Sequence, residues 1–337
     1  MFKVRTALLW LSFDVALSDA VAYLDAANWM RSNIEWLGKR TLKEICLPGT
    51  HNSGMSKLFG GTSFSKTCNS VNQGRNIRRQ LDLGIRFFDV RPVITTGGVY
   101  RVGHYSKIFG NVWQGGYGHT IESIVLNINA FCKDHYELIF FRLSHSHNTE
   151  KEYSSFTQQE WNNLFQLLNK TENLYHATED TYFPITTLEK FTNNGTKAAV
   201  IYIVDEPKYK TSLGDYTGKG FFYKFSLKIF DKYSETDKVD FLFMDQTAKM
   251  KKESEKRYFL LSWTLTQQAV DATMCPAMGK TIKDLAFQAN RRLKNILLKI
   301  TKTIYPNIIS IDYVDNTELV ELVMAVNLKW LTEKSLH

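Results

Sequence analysis

Residues 83–91 read Leu83-Gly84-Ile85-Arg86-Phe87-Phe88-Asp89-Val90-Arg91, an apolar and aromatic run that ends in an acid and a base. Apolar side chains fill consecutive positions rather than alternate ones, so 85–91 reads as a strand covered on both faces. Seven more runs share this character: 44–47, 99–103, 137–143, 198–204, 241–244, 258–263 and 308–313. Helix-like segments lie between them, among them 75–83, 121–131, 158–168, 282–300 and 319–331. Eight buried strands alternating with helices predict an α/β fold, a single TIM-type (β/α)8 barrel, either closed or distorted and incompletely closed. No linker rich in proline, glycine or serine divides the 337 residues and no internal repeat is visible, so 26–337 reads as one barrel domain.

The polar residues fall where such a barrel would collect them. Leu47-Pro48-Gly49-Thr50-His51-Asn52-Ser53-Gly54 follows the first strand, and Asp89-Val90-Arg91 closes the second. Gly103-His104 ends the third and Asp312 lies at the end of the last. The C-terminal ends of parallel barrel strands share one face, so these residues can converge despite their separation. Two histidines suit proton transfer at neutral pH, one removing a proton from a hydroxyl and one protonating a leaving oxygen. A guanidinium offers a two-pronged cation for the charge on a phosphoryl group.

The run at 47–53 resembles the opening motif of the X domain of the phosphatidylinositol-specific phospholipase C family. Asn72-Gln73-Gly74, the segment 83–91, Val102-Gly103-His104, Leu138 through Leu143 and Ile309-Ser310-Ile311-Asp312-Tyr313 follow in the family's order. The resemblance is dense over about 44–147 and thins before Asp312. It implies cleavage of phosphatidylinositol, or a glycosylated form of it, to diacylglycerol and a cyclic inositol phosphate. In that scheme His51 is the general base for the inositol 2-hydroxyl, oriented by Asp312, and His104 is the general acid. Arg91 binds phosphoryl oxygens and Asp89 supports the acid and the arginine. A cation at 91, where metal-dependent relatives place an acid, resembles the metal-independent bacterial-type branch, with no cofactor. A calcium or magnesium enzyme is the alternative, in which Asn52 could be a ligand. Asn52, Asp205, Trp263 and Tyr313 are the candidates for lining the substrate pocket, and Arg142 with Ser144-His145-Ser146-His147 departs from the family pattern.

The bland readings bound these expectations. His119, His135, His176 and His337 read as structural, and His145 with His147 as a solvent-facing pair without a third metal ligand. The net charge of +8 favours anionic partners, yet no nucleic-acid module or clustered basic stripe appears. The densest basic run, Lys249-Met250-Lys251-Lys252, reads as a solvated helix face. Four dispersed cysteines exclude a CxxC zinc site and leave a disulfide such as Cys46 with Cys68 open. Residues 1–25 read either as a secretory signal or as an amphipathic helix, and the sequons at Asn169 and Asn194 are compatible with secretion. No stretch reaches a membrane span. The expectation is a monomer, secreted or facing outward, that meets its phospholipid peripherally; cytoplasmic peripheral association is the alternative. Phe109 and Trp113, in the apolar loop after His104, and the aromatic loop 59–64 are candidates either for touching the bilayer or for packing beneath the barrel mouth.

Overall fold

The computed structural model describes residues 25–332. In chain order its strands are β1 (Leu47–Thr50), β2 (Gly60–Gly61), β3 (Phe87–Val90), β4 (Pro92–Thr95), β5 (Val99–Phe109), β6 (Val112–Thr120) and β7 (Leu138–Leu143). They continue with β8 (His147–Asn148), β9 (Ala199–Val204), β10 (Phe221–Tyr223), β11 (Ile229–Phe230), β12 (Tyr258–Trp263) and β13 (Ile308–Ile311). Eight of them form one sheet in the order β10-β9-β7-β3-β1-β13-β12-β11, and all seven ladders are parallel. Among the described residues no ladder joins β10 to β11, so the barrel is distorted and carries a gap between its terminal strands.

Strand number matches the expectation, but two members differ. Residues 99–103 belong to β5, which runs antiparallel to β4 and β6 in a second, five-stranded sheet ordered β2-β6-β5-β4-β8. Residues 241–244 lie in the helix Val239–Glu253, which buries Leu242, Gln246 and Met250 at helical spacing and leaves Phe241 and Met244 exposed. Four apolar residues cannot by themselves distinguish a strand from a helix turn. Their places in the barrel are taken by β10 and β11, too short to stand out in the sequence. The lysines of 249–252 sit on that helix; Lys251 and Lys252 are exposed and Met250 packs inward.

Alternation along the strands sorts side chains into two cores. Leu47, Phe87, Phe140, Ile201, Ile203, Leu260 and Ile308 point to the inner cluster, which Trp29, Met30 and Leu37 close at the base. Phe88, Phe141, Val200, Tyr202, Leu261 and Ile309 point to the outer cluster, against helix residues such as Ile124, Trp161 and Leu285. The base is pinned by Glu137, which accepts from the Met30 and Arg31 amides and from buried Arg86. Burying about half a dozen large side chains per face contributes roughly 1.5–3 kcal/mol each, enough to hold strand register against a one-residue slip.

Cys68 pairs with Cys275, not with Cys46, which is buried and free. Asn169 and Asn194 are exposed. His119 and His135 bond locally, to Ser56 and Asn28. Residues 1–24 and His337 lie outside the described residues.

Candidate active site

The same alternation that fills the inner core aims the polar residues at the barrel mouth. Two residues beyond Gly49 comes His51; beyond Phe87 come Asp89 and Arg91; beyond Ile308 come Ser310 and Asp312. The His51 backbone is clamped, its amide donating to the Ile311 carbonyl at 3.0 Å and its carbonyl accepting from Gln73 Nε2 at 2.8 Å. The turn after it needs a left-handed residue, and Asn52 supplies φ 43°, a conformation asparagine tolerates.

Hydrogen-bond accounting fixes the state of His51. Arg91 Nη2 lies 2.7 Å from Nε2, and a guanidinium can only donate. Nε2 is therefore the acceptor, and Nδ1 carries the proton that it donates to Asp312 Oδ1 at 2.9 Å. Asp312 also accepts from Asn72 Nδ2, and Asn52 donates to Asn72. The Nε2 lone pair of His51 thus faces the Arg91 cation.

Asp89 is satisfied on both oxygens. Oδ2 accepts from Arg91 Nε at 3.1 Å and from the Asn52 amide, while Oδ1 accepts from Ser144 Oγ at 2.9 Å. Because that hydroxyl proton is committed to Asp89, His145 Nδ1 donates to Ser144 at 2.9 Å. Burial pushes the Asp89 carboxyl up, but Arg91, His51, Arg142 and His145 outweigh it and hold it below the usual carboxylate range.

His104 comes from the second sheet. It stands mid-strand in β5 opposite Gly116, half-buried, with Nδ1 3.3 Å from the Ser70 carbonyl. A carbonyl only accepts, so Nδ1 donates and Nε2 is left for chemistry. Burial, then Arg91 and His51, lower its pKa to about 3. Asp89 makes no hydrogen bond to it; its support is electrostatic and at a distance. Both histidines, Asp312 and Tyr233 line one cavity of about 380 Å³. Among the described residues no group of three or more His, Cys, Asp or Glu side chains is placed to hold a metal ion.

No family model matches the chain, and no curated protein matches it in sequence. Solved structures do. A variant of the phosphatidylinositol-specific phospholipase C from Staphylococcus aureus superposes with a TM-score of 0.61 at 16% identity, covering 90% of this chain and 97% of that one. The phosphatidylinositol-specific phospholipase C from Listeria monocytogenes gives 0.62 at 16% identity, covering 90% and 99%. The fold is that of these bacterial phospholipases C.

Within the phospholipase C fold the remaining expected residues separate. Asp205, at the end of β9 and in phase with Ile203, joins Arg142 on the mouth; Arg142 also pairs with Asp231. Trp263 is out of phase with the mouth, fully buried in the outer core with its indole donating to the Ala289 carbonyl, so it lines no pocket. Tyr313 is also out of phase; at φ 49° it packs with Val71, Ile282 and Ala286. Trp113 alternates onto the back of the β5–β6 hairpin, stacked on Tyr153 at 5.0 Å and beside His147, rather than standing free. Phe109 ends β5; its side chain lies outside the described residues. His145 and His147 do not form a pair, because φ 52° at His145 breaks the alternation and His147 bonds the Tyr153 carbonyl.

Tyr233 was missed. It sits two residues after Asp231, its ring 5.5 Å from His51 and its hydroxyl accepting from Arg91. Its signal is the in-phase spacing from Ile229, hidden because β11 has only two residues.

Proposed function

We propose that this chain is a phosphodiesterase that cleaves phosphatidylinositol, or a glycosylated form of it, without a metal, through one catalytic domain spanning 26–337. The observation that carries the reading is the Asp312–His51–Arg91 chain, which presents a basic nitrogen beside a cation at a barrel mouth. A phosphodiester seated there places its oxygens against Arg91, which swings off Nε2 and frees it. His51 Nε2 then takes the proton of the inositol 2-hydroxyl, and that oxygen bonds to phosphorus as the bond from phosphorus to the glycerol oxygen breaks. His104 delivers the proton that the glycerol oxygen needs, and Asp312 stabilises the resulting His51 imidazolium. The products are diacylglycerol and a cyclic inositol phosphate, with the cyclic ester open to later hydrolysis by the reverse proton roles.

The low pKa of His104 bears on this scheme. With the site empty, Arg91 and burial favour its neutral form; a bound phosphodiester brings a negative charge that offsets Arg91 and raises the pKa. The acid is thus charged by the substrate it serves. Arg91 stands where the resemblance places an acid in metal-dependent relatives, and its charge, already paired with Asp89, would repel a divalent ion.

Exposed Ile108 lines the cavity, and exposed Phe64, Val112, Val270 and Met274 stand close in sequence to its lining residues Asn69, Gln114, Ala269 and Ala272, apolar side chains suited to peripheral docking on a bilayer. No described helix is long and apolar enough to cross a membrane. The Cys68–Cys275 disulfide and the exposed sequons favour an oxidising compartment, so residues 1–25 are read as a secretory signal.

The test is phosphorus NMR of vesicles containing phosphatidylinositol, with chelator present and His51→Ala alongside. A cyclic phosphate that appears with chelator and vanishes in the variant supports the reading. Turnover only after calcium or magnesium is restored sinks the role of Arg91, and silence in both leaves a lipid-binding barrel or another headgroup.

A further inference from the structure

His104 stands on a hairpin whose pairing shifts on both sides of it, and the carbonyl that fixes its ring comes from outside that hairpin. Ser70 supplies it, accepting from Nδ1 at 3.3 Å at the end of the helix Thr67–Ser70. A bond of 3.3 Å is already past the usual length, so a small drift of its acceptor breaks it. The helix itself is four residues long, and one turn is too short to hold its shape alone. Among the described residues, the hydrogen bonds that 66–70 make beyond 64–71 run to two places only. One is His104 and the other is the segment 267–275.

Four ties make that second attachment. Cys68 is bonded to Cys275, 207 residues away in sequence. Buried Asn69 donates to the Ala272 carbonyl at 2.9 Å, Lys66 Nζ to the Cys275 carbonyl at 3.0 Å, and Gln267 Nε2 to the Cys68 carbonyl at 3.3 Å. Asn69, Gln267 and Ala272 line the same cavity as both histidines. The one covalent tie is thus built into the cavity wall, two residues from the carbonyl that His104 uses.

The base does not depend on this strap. The Asn72 and Gln73 amides are fixed to the Met55 carbonyl, and Gln73 Nε2 donates to the His51 and Ile311 carbonyls. Loosening 66–70 therefore reaches the acid before it reaches the base.

We propose that the Cys68–Cys275 disulfide is a positioning device for the general acid: it holds the Ser70 carbonyl against His104, so that protonation of the leaving oxygen is efficient only in the oxidised protein. The inference rests on the phospholipase C reading and adds a redox requirement to one of its two proton transfers. Reduction by a dithiol breaks the S–S bond and forms two thiols, while the dithiol is oxidised to its own disulfide.

The experiment measures kcat on phosphatidylinositol, whose glycerol oxygen must be protonated, and on a nitrophenyl inositol phosphate, whose phenolate leaves without a proton. Three samples are compared: oxidised wild type, wild type treated with dithiothreitol until a titration in denaturant counts four thiols in place of two, and Cys68→Ser/Cys275→Ser. Reduction and substitution should each lower kcat on phosphatidylinositol about tenfold and leave the nitrophenyl substrate within about twofold, the mark of an acid misplaced but not removed. Turnover of the nitrophenyl substrate also reports that the variant is folded, and the reduced wild type repeats the test without a substitution. Losses of equal size on both substrates overturn the positioning role, because a bridge that only stabilises the fold treats both alike. An unchanged kcat on phosphatidylinositol overturns it too. An oxidised wild type inert on both substrates overturns the parent reading and this inference with it.

Discussion

The two histidines are held in different ways. His51 is fixed at every polar atom: its backbone by Ile311 and Gln73, Nδ1 by Asp312, Nε2 by Arg91. Its partners come from barrel strands whose phase is set by two packed cores. His104 has one side-chain bond, 3.3 Å long, and stands on a hairpin whose register breaks on both sides of it, between Arg101 and Gly103 and between Lys107 and Phe109. In the proposed reaction the barrel offers a base pre-aimed at a hydroxyl close to phosphorus, where small displacements are costly. In the same proposal the hairpin offers an acid on an adjustable support, suited to a leaving group with long, variable chains.

Changing the leaving group is the strongest way to break that division. With phosphatidylinositol, His51→Ala and His104→Ala should each lower kcat by about 10²–10⁴-fold, the usual worth of a general base or acid. With a nitrophenyl inositol phosphate, whose phenolate departs without a proton, His104→Ala should recover most of its lost rate and His51→Ala none. Steady-state kinetics on the two substrates checks this, and equal losses on both would show that the roles are not divided as drawn.

The cation belongs to the barrel half and should tolerate little change. Arg91→Lys keeps a charge but loses the fork that reaches Asp89 and His51 together, so kcat should fall about 100-fold. A variant within threefold of wild type would show that charge alone suffices at that position.

Legibility followed the same divide. The barrel half was readable because its buried strands announce themselves by composition and their last in-phase residues are His51, Asp89, Arg91 and Asp312. Phase shows why one expected pocket residue failed, since Trp263 follows Phe259 and Leu261 to the outer core, while Tyr313 turns at φ 49° into a small separate cluster with Val71, Ile282 and Ala286. That information was in the sequence, and strand-end position alone was the wrong criterion. The hairpin half was less readable. Residues 99–103 have the composition of a barrel strand, and only pairing with β4 and β6 places them in the second sheet. Tyr233 depends on a two-residue strand, which composition does not encode. The Cys68–Cys275 link joins residues 207 apart, a closure visible only once the helices Thr67–Ser70 and Ala269–Met274 are seen side by side.

The hairpin's tolerance has a limit at Gly115. Its φ is 144°, and a Cβ there would lie 1.9 Å from the His104 carbonyl oxygen. Gly115→Ala should therefore push the His104 strand outward and lower kcat on phosphatidylinositol about tenfold, the cost of misplacing an acid without removing it. A nitrophenyl substrate should be affected less. Loss of the same size on both would mean that the displacement reaches His51, and the two halves are more tightly coupled than their hydrogen bonds suggest.

The smallest effect is on stability, and its sign follows from the depressed pKa of His104. An ordinary histidine titrates near 6.5, and in the folded, empty site this one is held near 3. Its preference for the neutral form stabilises the fold fully above about pH 6.5. As pH falls from there toward 3, the unfolded chain takes up a proton that the folded chain refuses, so the stabilisation is lost. His104→Gln has nothing to titrate, so its denaturation midpoint should fall less than the wild type's between pH 7 and about pH 5. Over that window Asp89 stays ionised in both proteins, and the other lowered histidines, His119, His135, His145 and His147, contribute equally to both. An inositol phosphate ligand should narrow the difference by letting His104 keep its proton when bound. Identical pH slopes in the two proteins would mean that His104 titrates normally in the empty site. The acid would then be charged before substrate arrives, and the contrast between a fixed base and a substrate-charged acid would lose its electrostatic half.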